Sequence, residues 1–250
     1  MKFIYADAMD FVDPEFDFRT DRNAPGRIAQ WDDEYPHEFL DRAPYDGILV
    51  SRGVVGDVQT QGKYNLGQMM RFRREGARKF LRYSEAAYPG SQVFGDCGAF
   101  TYRDAKVPPY TPADTLEFYA DGGFTHGCSV DHIIFDFDEG KGRPREAMPA
   151  AVLERYDLTL QLAAEFKTLS KRLPDFTPMG VIQGWSAPSM AWAARQLVRM
   201  GYDYLAVGGL VPLDVPQIHA ALTAISAAIP PRVRLHLLGF GKIENLDEFS

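Results

Sequence analysis

Short apolar, β-prone runs punctuate the chain at Phe3–Tyr5, Gly47–Val50, Gln92–Gly95, His132–Phe137, Met179–Gln183, Tyr204–Val207 and Arg234–Leu238. Helical periodicity fills most of the intervals between them. Tyr64–Ser84 sets Leu66, Met69, Met70, Phe72, Phe80 and Leu81 among many basic residues. Thr111-Pro112-Ala113-Asp114 reads as a helix start, with Thr111 as N-cap, Pro112 in the first helical position and the Asp114 carboxylate in the first turn. Ala147–Leu173 is a long helical stretch closed by Pro174, and Ser186–Met200 is a second with Gly201 suited to its C-cap. Val215–Ala228 is a third, stopped by Pro230-Pro231. The region 10–46 is polar, contains proline, lacks periodicity, and reads as a surface loop or insertion.

Strand and helix in alternation imply an α/β fold with a parallel sheet. The count of strand candidates suggests a (β/α)8 TIM barrel lacking its last strand–helix unit in this chain. The 250 residues are therefore expected to form one barrel domain, incomplete at its C-terminal end, with 10–46 as its irregular insertion. A hydrophobic fraction of 46% is that of a globular protein, and no run approaches the length of a membrane span. The polar start Met1-Lys2-Phe3-Ile4-Tyr5-Ala6-Asp7 is not a signal peptide, and two cysteines are too few for a disulfide framework. A reducing cytoplasm is the expected compartment. The net charge of −7 argues against a broadly basic nucleic-acid binder, but a local basic patch is compatible with it.

Two segments carry the most chemical information. Gly180-Val181-Ile182-Gln183-Gly184 and Ala206-Val207-Gly208-Gly209-Leu210 are apolar runs that end abruptly on polar or glycine groups before a helix. A buried parallel strand delivers functional groups at its carboxyl end in this way. Gln183 can donate and accept hydrogen bonds, while Gly208 and Gly209 remove side chains so that a flat ligand can meet the backbone. Together they favour a small planar polar ligand over a metal.

Further candidates end the third and fourth strand runs. Asp96, within Phe94-Gly95-Asp96-Cys97-Gly98-Ala99-Phe100, is placed to project a carboxylate into the barrel mouth, and Phe100 to stack on a planar ring. Taken alone, Asp96 as a turn cap and Phe100 as core would be the simpler reading. Asp136 and Asp138 lie two apart in the run His132–Glu139, so an extended strand would face both to one side. Such a pair can bind a metal or share a proton, or one of them can accept from the N1–H and exocyclic amine of a guanine-like ring. Cys97, Cys128, His126 and His132 match no compact zinc spacing. The basic residues Arg71, Arg73, Arg74, Arg78, Lys79 and Arg82 read mainly as a solvated helix face. Lys141, Arg143 and Arg145, just after the fourth strand end, are better placed to meet a nucleic-acid backbone.

In this order the segments resemble the tRNA-guanine transglycosylase superfamily, (β/α)8 barrels that exchange guanine for a 7-deazaguanine. Gly95–Phe100 is similar to that family's Asp-Ser-Gly-Gly-aromatic motif, and Phe137-Asp138-Glu139 to its base-reading Phe-Asp-Glu. Gly180–Gly184 and Ala206–Leu210 resemble its glycine–glutamine–glycine and Gly-Gly-Leu segments. Leu237-Leu238-Gly239-Phe240-Gly241-Lys242 with Asn245-Leu246 resembles the stretch before its eighth strand. The resemblance implies that Asp96 is the general acid/base and that Phe100 stacks on the base. It further implies that Asp138 reads the guanine edge, Gln183 bonds the carbonyl or its neighbour, and Gly184 and Gly208–Leu210 border the base through their backbone. The family's nucleophile is an aspartate ending strand eight, implied to fall a few residues past Ser250. A covalent aspartyl–sugar intermediate follows from it. No cofactor is implied within this segment, since the family's structural zinc module would also lie past Ser250.

Cys97 stands where the family usually has Ser, Ala99 where it has Gly, and Gly140 where tRNA enzymes often have Cys. With Ser129–Ile134, these departures resemble the DNA-modifying branch, which inserts a 7-deazaguanine precursor (preQ0). DNA is thus favoured over tRNA as partner, on resemblance alone. No membrane partner is implied, and a homodimer is compatible with the family. Two other classes compete. A sugar-phosphate isomerase or aldolase would also place glycines after strands six and seven, and a non-catalytic nucleobase-binding module would need no nucleophile.

Overall fold

The computed structural model describes residues 1–7, 9–57, 60–138 and 143–249. Glu139, Gly140 and Lys141, singled out above, lie outside the described residues. The strands in chain order are β1 (Ile4–Ala6), β2 (Gly47–Ser51), β3 (Gln92–Asp96), β4 (His126–Cys128), β5 (Thr177–Ile182), β6 (Tyr204–Val207) and β7 (Arg234–Leu237). Each pairs in parallel with the next, giving one seven-stranded sheet in sequential order. The short helix α1 (Pro36–Phe39) precedes β2, and α2 (Arg52–Val55), α3 (Leu66–Glu75) and α4 (Ala77–Phe80) lie between β2 and β3. Thereafter α5 (Pro112–Gly122), α6 (Ala150–Ser170), α7 (Ala187–Arg199) and α8 (Val215–Ala228) each follow one strand. Among the described residues no helix is long and apolar enough to cross a membrane.

The helix ends follow from local chemistry. Asn65, Thr111, Ser186 and Asp214 each accept a hydrogen bond from the backbone N–H three residues on, and the side chain there answers the cap's own N–H. Pro112, Ala187-Pro188 and Val215-Pro216 place proline in the first turn, where its missing N–H costs nothing.

The sheet is curled. The Phe94 ring on β3 stacks on His236 of β7 with centroids 5.1 Å apart and meets Tyr204 of β6 edge-on at 6.1 Å. Neighbouring strands lie about 4.8 Å apart, so a flat sheet would separate β3 from β7 by roughly 19 Å. Inside the curl Leu49, Phe94, Cys128, Met179, Val181 and Ala206 form one apolar cluster, flanked by Ile4, Tyr204 and Leu238. Two further clusters fill the space between the sheet and its helices. β1 and β7 are the two edges of this sheet.

The fourth strand is not where the apolar run His132–Phe137 predicts it. The ladder runs over His126–Cys128, with His126 against Thr177 and Cys128 against Met179. After one more bond, Ser129 N–H to the Met179 carbonyl at 2.8 Å, the Ser129 hydroxyl takes the next N–H, that of Val181 at 3.1 Å. The His132 N–H then turns to Thr159 on α6. Ile133 and Ile134 are buried, but by packing rather than by pairing. Hydrophobicity reports burial, and here burial and strand pairing part company. The region 10–46 contains α1, and its remaining chain is held by its own carboxylates: Asp13 and Asp17 accept backbone N–H groups, and Arg27 pairs with Asp33 at 2.5 Å.

Gly95 and Gly127 are register partners on β3 and β4, and both face the buried ring of Tyr119 on α5. A Cβ at Gly95 would sit 2.2 Å from that ring, and Tyr119 is anchored by its hydroxyl to the Cys128 carbonyl at 3.0 Å. Gly95→Ala should therefore destabilise the protein by about 1–3 kcal/mol, the usual cost of overpacking a core. Urea denaturation checks this, and an unchanged midpoint would show that the slot is not needed.

Candidate active site

Side chains alternate along a strand, so Leu49 and Ser51, Phe94 and Asp96, and Val181 and Gln183 share the inward face of their strands. The same period carries Ala206 to Gly208 and His236 to Leu238. The chain thus brings a serine, a carboxylate, an amide and a glycine to the carboxyl end of the sheet. A cavity of about 1690 Å³ opens there and extends along the edges of β1 and β7. Its lining includes Ser51, Asp96, Phe100, Asp131, Ile133, Gln183, Gly208 and Gly209.

Asp96 is held from one side by the Ser51 hydroxyl, which donates to Oδ2 at 2.8 Å, and by the Gly98 N–H at 3.0 Å. The Ser51 oxygen in turn accepts from the Gly53 N–H at 3.2 Å, so β2 and the start of α2 set its orientation. The backbone at Gly98, φ +85°, approaches Gly53 so closely that a Cβ there would lie 2.5 Å from its nitrogen. Burial raises the Asp96 pKa, and these donors oppose the rise without cancelling it.

The second carboxylate is Asp131, which is 2% exposed and lies three residues past β4. Its Oδ1 accepts from the Cys97 thiol at 3.0 Å and its Oδ2 from Gln183 Nε2 at 2.7 Å. The Gln183 carbonyl oxygen accepts from the Ile134 N–H at 3.2 Å, which settles the orientation of the amide. The Tyr102 hydroxyl donates to the Asp131 backbone carbonyl at 3.0 Å. Burial, reinforced by the charge on Asp96, pushes the Asp131 carboxyl up to about 6. Below the carboxylates, His126 and His236 stack on either side of Phe94, and burial holds both imidazoles near a pKa of about 4. Both imidazoles are therefore neutral at neutral pH.

Of the residues singled out in the sequence, Asp96, Phe100, Gln183, Gly208 and Gly209 meet at the cavity, whereas Asp136, Asp138, Gly184 and Leu210 do not line it. Asp136 is exposed on a shallow outer depression beside Pro149 and Arg155. Asp138 accepts from the Arg143 N–H at 2.9 Å, and its own N–H donates to the Trp185 carbonyl. Both aspartates lie well past the end of β4 at Cys128 and so leave the inner face of the sheet. Gly184 makes room for α7, since a Cβ would lie 2.7 Å from Met190 and Ser189 side chains, and Leu210 is core. Arg143 reaches Asp138 at 3.6 Å and Arg145 pairs with Asp157. Gly208 serves a different end from the one its sequence suggests. A Cβ there would fall 2.4 Å from Gln183 Nε2, so the missing side chain makes room for the amide.

The sequence reading does not single out Asp131, Ser51 or the donor role of Cys97. Ser51 ends an apolar run just as Asp96 does, so the strand-end rule would have found it. Asp131 was hidden by the longer apolar run that follows it.

A curled parallel sheet with a half-buried and a buried carboxylate and an amide at or just past its strand ends defines an α/β protein whose site suits a planar polar ligand. No family model matches the chain. A DNA-guanine transglycosylase of Salmonella montevideo is 38% identical over 254 residues, covering all of this chain and 59% of that protein's length. The chain belongs, by that identity along its whole length, to the tRNA-guanine transglycosylase superfamily and to its DNA-modifying branch.

The Asp131 pKa predicts a pH dependence. A carboxyl whose folded pKa is about 6, against about 3.9 unfolded, contributes stability that is fully present below pH 4 and lost as pH rises through 6. Asp131→Asn removes that loss. Between pH 4 and 7 the wild type should lose about 2–3 kcal/mol relative to the variant in urea titrations. Parallel profiles would contradict the assignment.

Proposed function

We propose that the chain is the base-binding and acid–base part of a (β/α)8 barrel that exchanges guanine in DNA for a 7-deazaguanine such as preQ0. The observation that carries this reading is the joint presence of Asp96 and Asp131 in one cavity, each supplied with its own donors. The name of the related enzyme supports the activity and the choice of DNA.

Asp131 takes the base-reading role that the resemblance implies for Asp138. A guanine-type ring presents N1–H and an exocyclic amine side by side, and one ionised carboxylate accepts both. Gln183 Nε2 carries two hydrogens; one goes to Asp131, and the other serves a carbonyl on the same ring edge. Phe100, half exposed at the rim, covers the ring face.

In the exchange, an aspartate carboxylate at the end of the eighth strand, placed past Ser250 by the resemblance, attacks the sugar C1′. The C1′–N9 bond breaks with its electron pair going to guanine, which takes a proton from Asp96. The incoming base then loses its N9 proton to Asp96 as N9 attacks C1′ and the aspartate leaves. Burial suits Asp96 to this double role, because a raised pKa brings the acid closer to neutrality. The sugar-phosphate alternative loses support at Gly208, where the space a phosphate would need belongs to Gln183.

Asp96→Asn, in a chain that includes the eighth strand, should lower incorporation of labelled guanine into DNA by about 10²–10⁴-fold while leaving guanine affinity within a few-fold. Activity at the wild-type level would reduce Asp96 to a structural cap.

A further inference from the structure

Two segments form the rim of the cavity beside Asp131: the 3-10 turn Ala99–Tyr102, which continues to Ala105, and residues 131–135 after β4. They are tied to each other at several points. Tyr102 donates to the Asp131 carbonyl, and His132 Nε2 lies 2.8 Å from the Ala105 carbonyl, which makes that nitrogen the protonated one. Arg155 on α6 donates to the Ile133 carbonyl at 3.0 Å and to the Arg103 carbonyl at 2.9 Å, stapling both segments with one guanidinium.

What these braces hold up is apolar and solvent-facing. Phe100 is 52% exposed and Phe135 38%, and their rings meet edge-on with centroids 6.0 Å apart. The Arg103 guanidinium lies 4.7 Å from the Phe100 centroid. Phe100 lines the cavity, and Phe135 stands just outside it. Internal packing does not account for a braced, exposed aromatic pair at the mouth of a site. The exposed Phe18, by comparison, meets Phe16 within the irregular region 10–46.

Resting on the reading of the chain as a base exchanger acting on DNA, we propose that Phe135 is the stacking platform for the nucleotide next to the extruded guanine. A base drawn out of a helix leaves its neighbour with an uncovered face. A rigid aromatic ring beside the base pocket can cover that face without reading its identity, since every base has a π-surface. Arg103, anchored over Phe100, adds a cation on the same ledge. Its neighbour Asp104, 3.6 Å away, and the exposed Asp136 temper the local charge, so stacking supplies the main attraction.

The test uses a DNA duplex with 2-aminopurine beside the target guanine, together with calorimetric titration of free guanine. In the wild type, binding should change the 2-aminopurine fluorescence as the neighbour restacks on Phe135. Phe135→Ala should weaken DNA binding by at least about fivefold, in line with the worth of one base–aromatic stack, and abolish most of the fluorescence change. The salt dependence of binding and the guanine affinity should be unaltered, and Phe135→Tyr should restore both DNA signals. DNA affinity unchanged in Phe135→Ala overturns the platform. A parallel loss of guanine affinity overturns it too, because Phe135 would then belong to the base pocket. A wild type that binds neither guanine nor DNA defeats the base-exchange reading instead.

Discussion

A carboxylate shut away from water must find its hydrogen bonds inside the protein, and the rest of the site is arranged around that demand at Asp131. Its two oxygens are met by Cys97 just past β3 and Gln183 just past β5. Gln183 can reach it only because Gly208 on the next strand has no side chain, and its amide keeps its orientation because the Ile134 N–H holds the other end. Residues from three strands and the loop after β4 are thus committed to one acidic group. Curling of the sheet makes this possible, since it turns the ends of separate strands toward one interior.

The same arrangement separates the roles of the two carboxylates. Asp96 is held from the β2 side by Ser51 and Asp131 from the β5 side by Gln183; burial raises both carboxyls, and the charge on Asp96 adds to the rise at Asp131. An ionised Asp131 is stabilised by a ligand that brings two N–H groups to it. In the proposed exchange a guanine edge does that, which leaves Asp96 as the group that moves a proton. Binding and proton transfer then depend on each other without sharing a residue.

Much of this was legible in the sequence where the signal is local. Proline, capping residues and glycine marked the helix ends, and Val215–Ala228 has the bounds its sequence predicts. Strand ends carrying Asp96 and Gln183 were legible because each apolar run stops abruptly on a polar group. The fourth strand was not, because His126-Gly127-Cys128 is short and weakly β-prone while the buried segment after it is strongly apolar. That displacement moved the expected base reader onto Asp136 and Asp138 and hid Asp131. Gly208 was legible as a functional position, but its purpose was not, since a contact between neighbouring strands leaves no trace in spacing along the chain.

On the proposed reading Asp131, rather than Asp138, reads the base. Calorimetric titration of guanine and adenine into the wild type, Asp131→Ala and Asp138→Ala tests it most directly. Adenine lacks the paired donors and would leave the buried carboxylate short of partners, at a cost of about 1–3 kcal/mol. Guanine should be preferred by the wild type and by Asp138→Ala, and Asp131→Ala should lose the preference. Loss of discrimination in Asp138→Ala alone would contradict it.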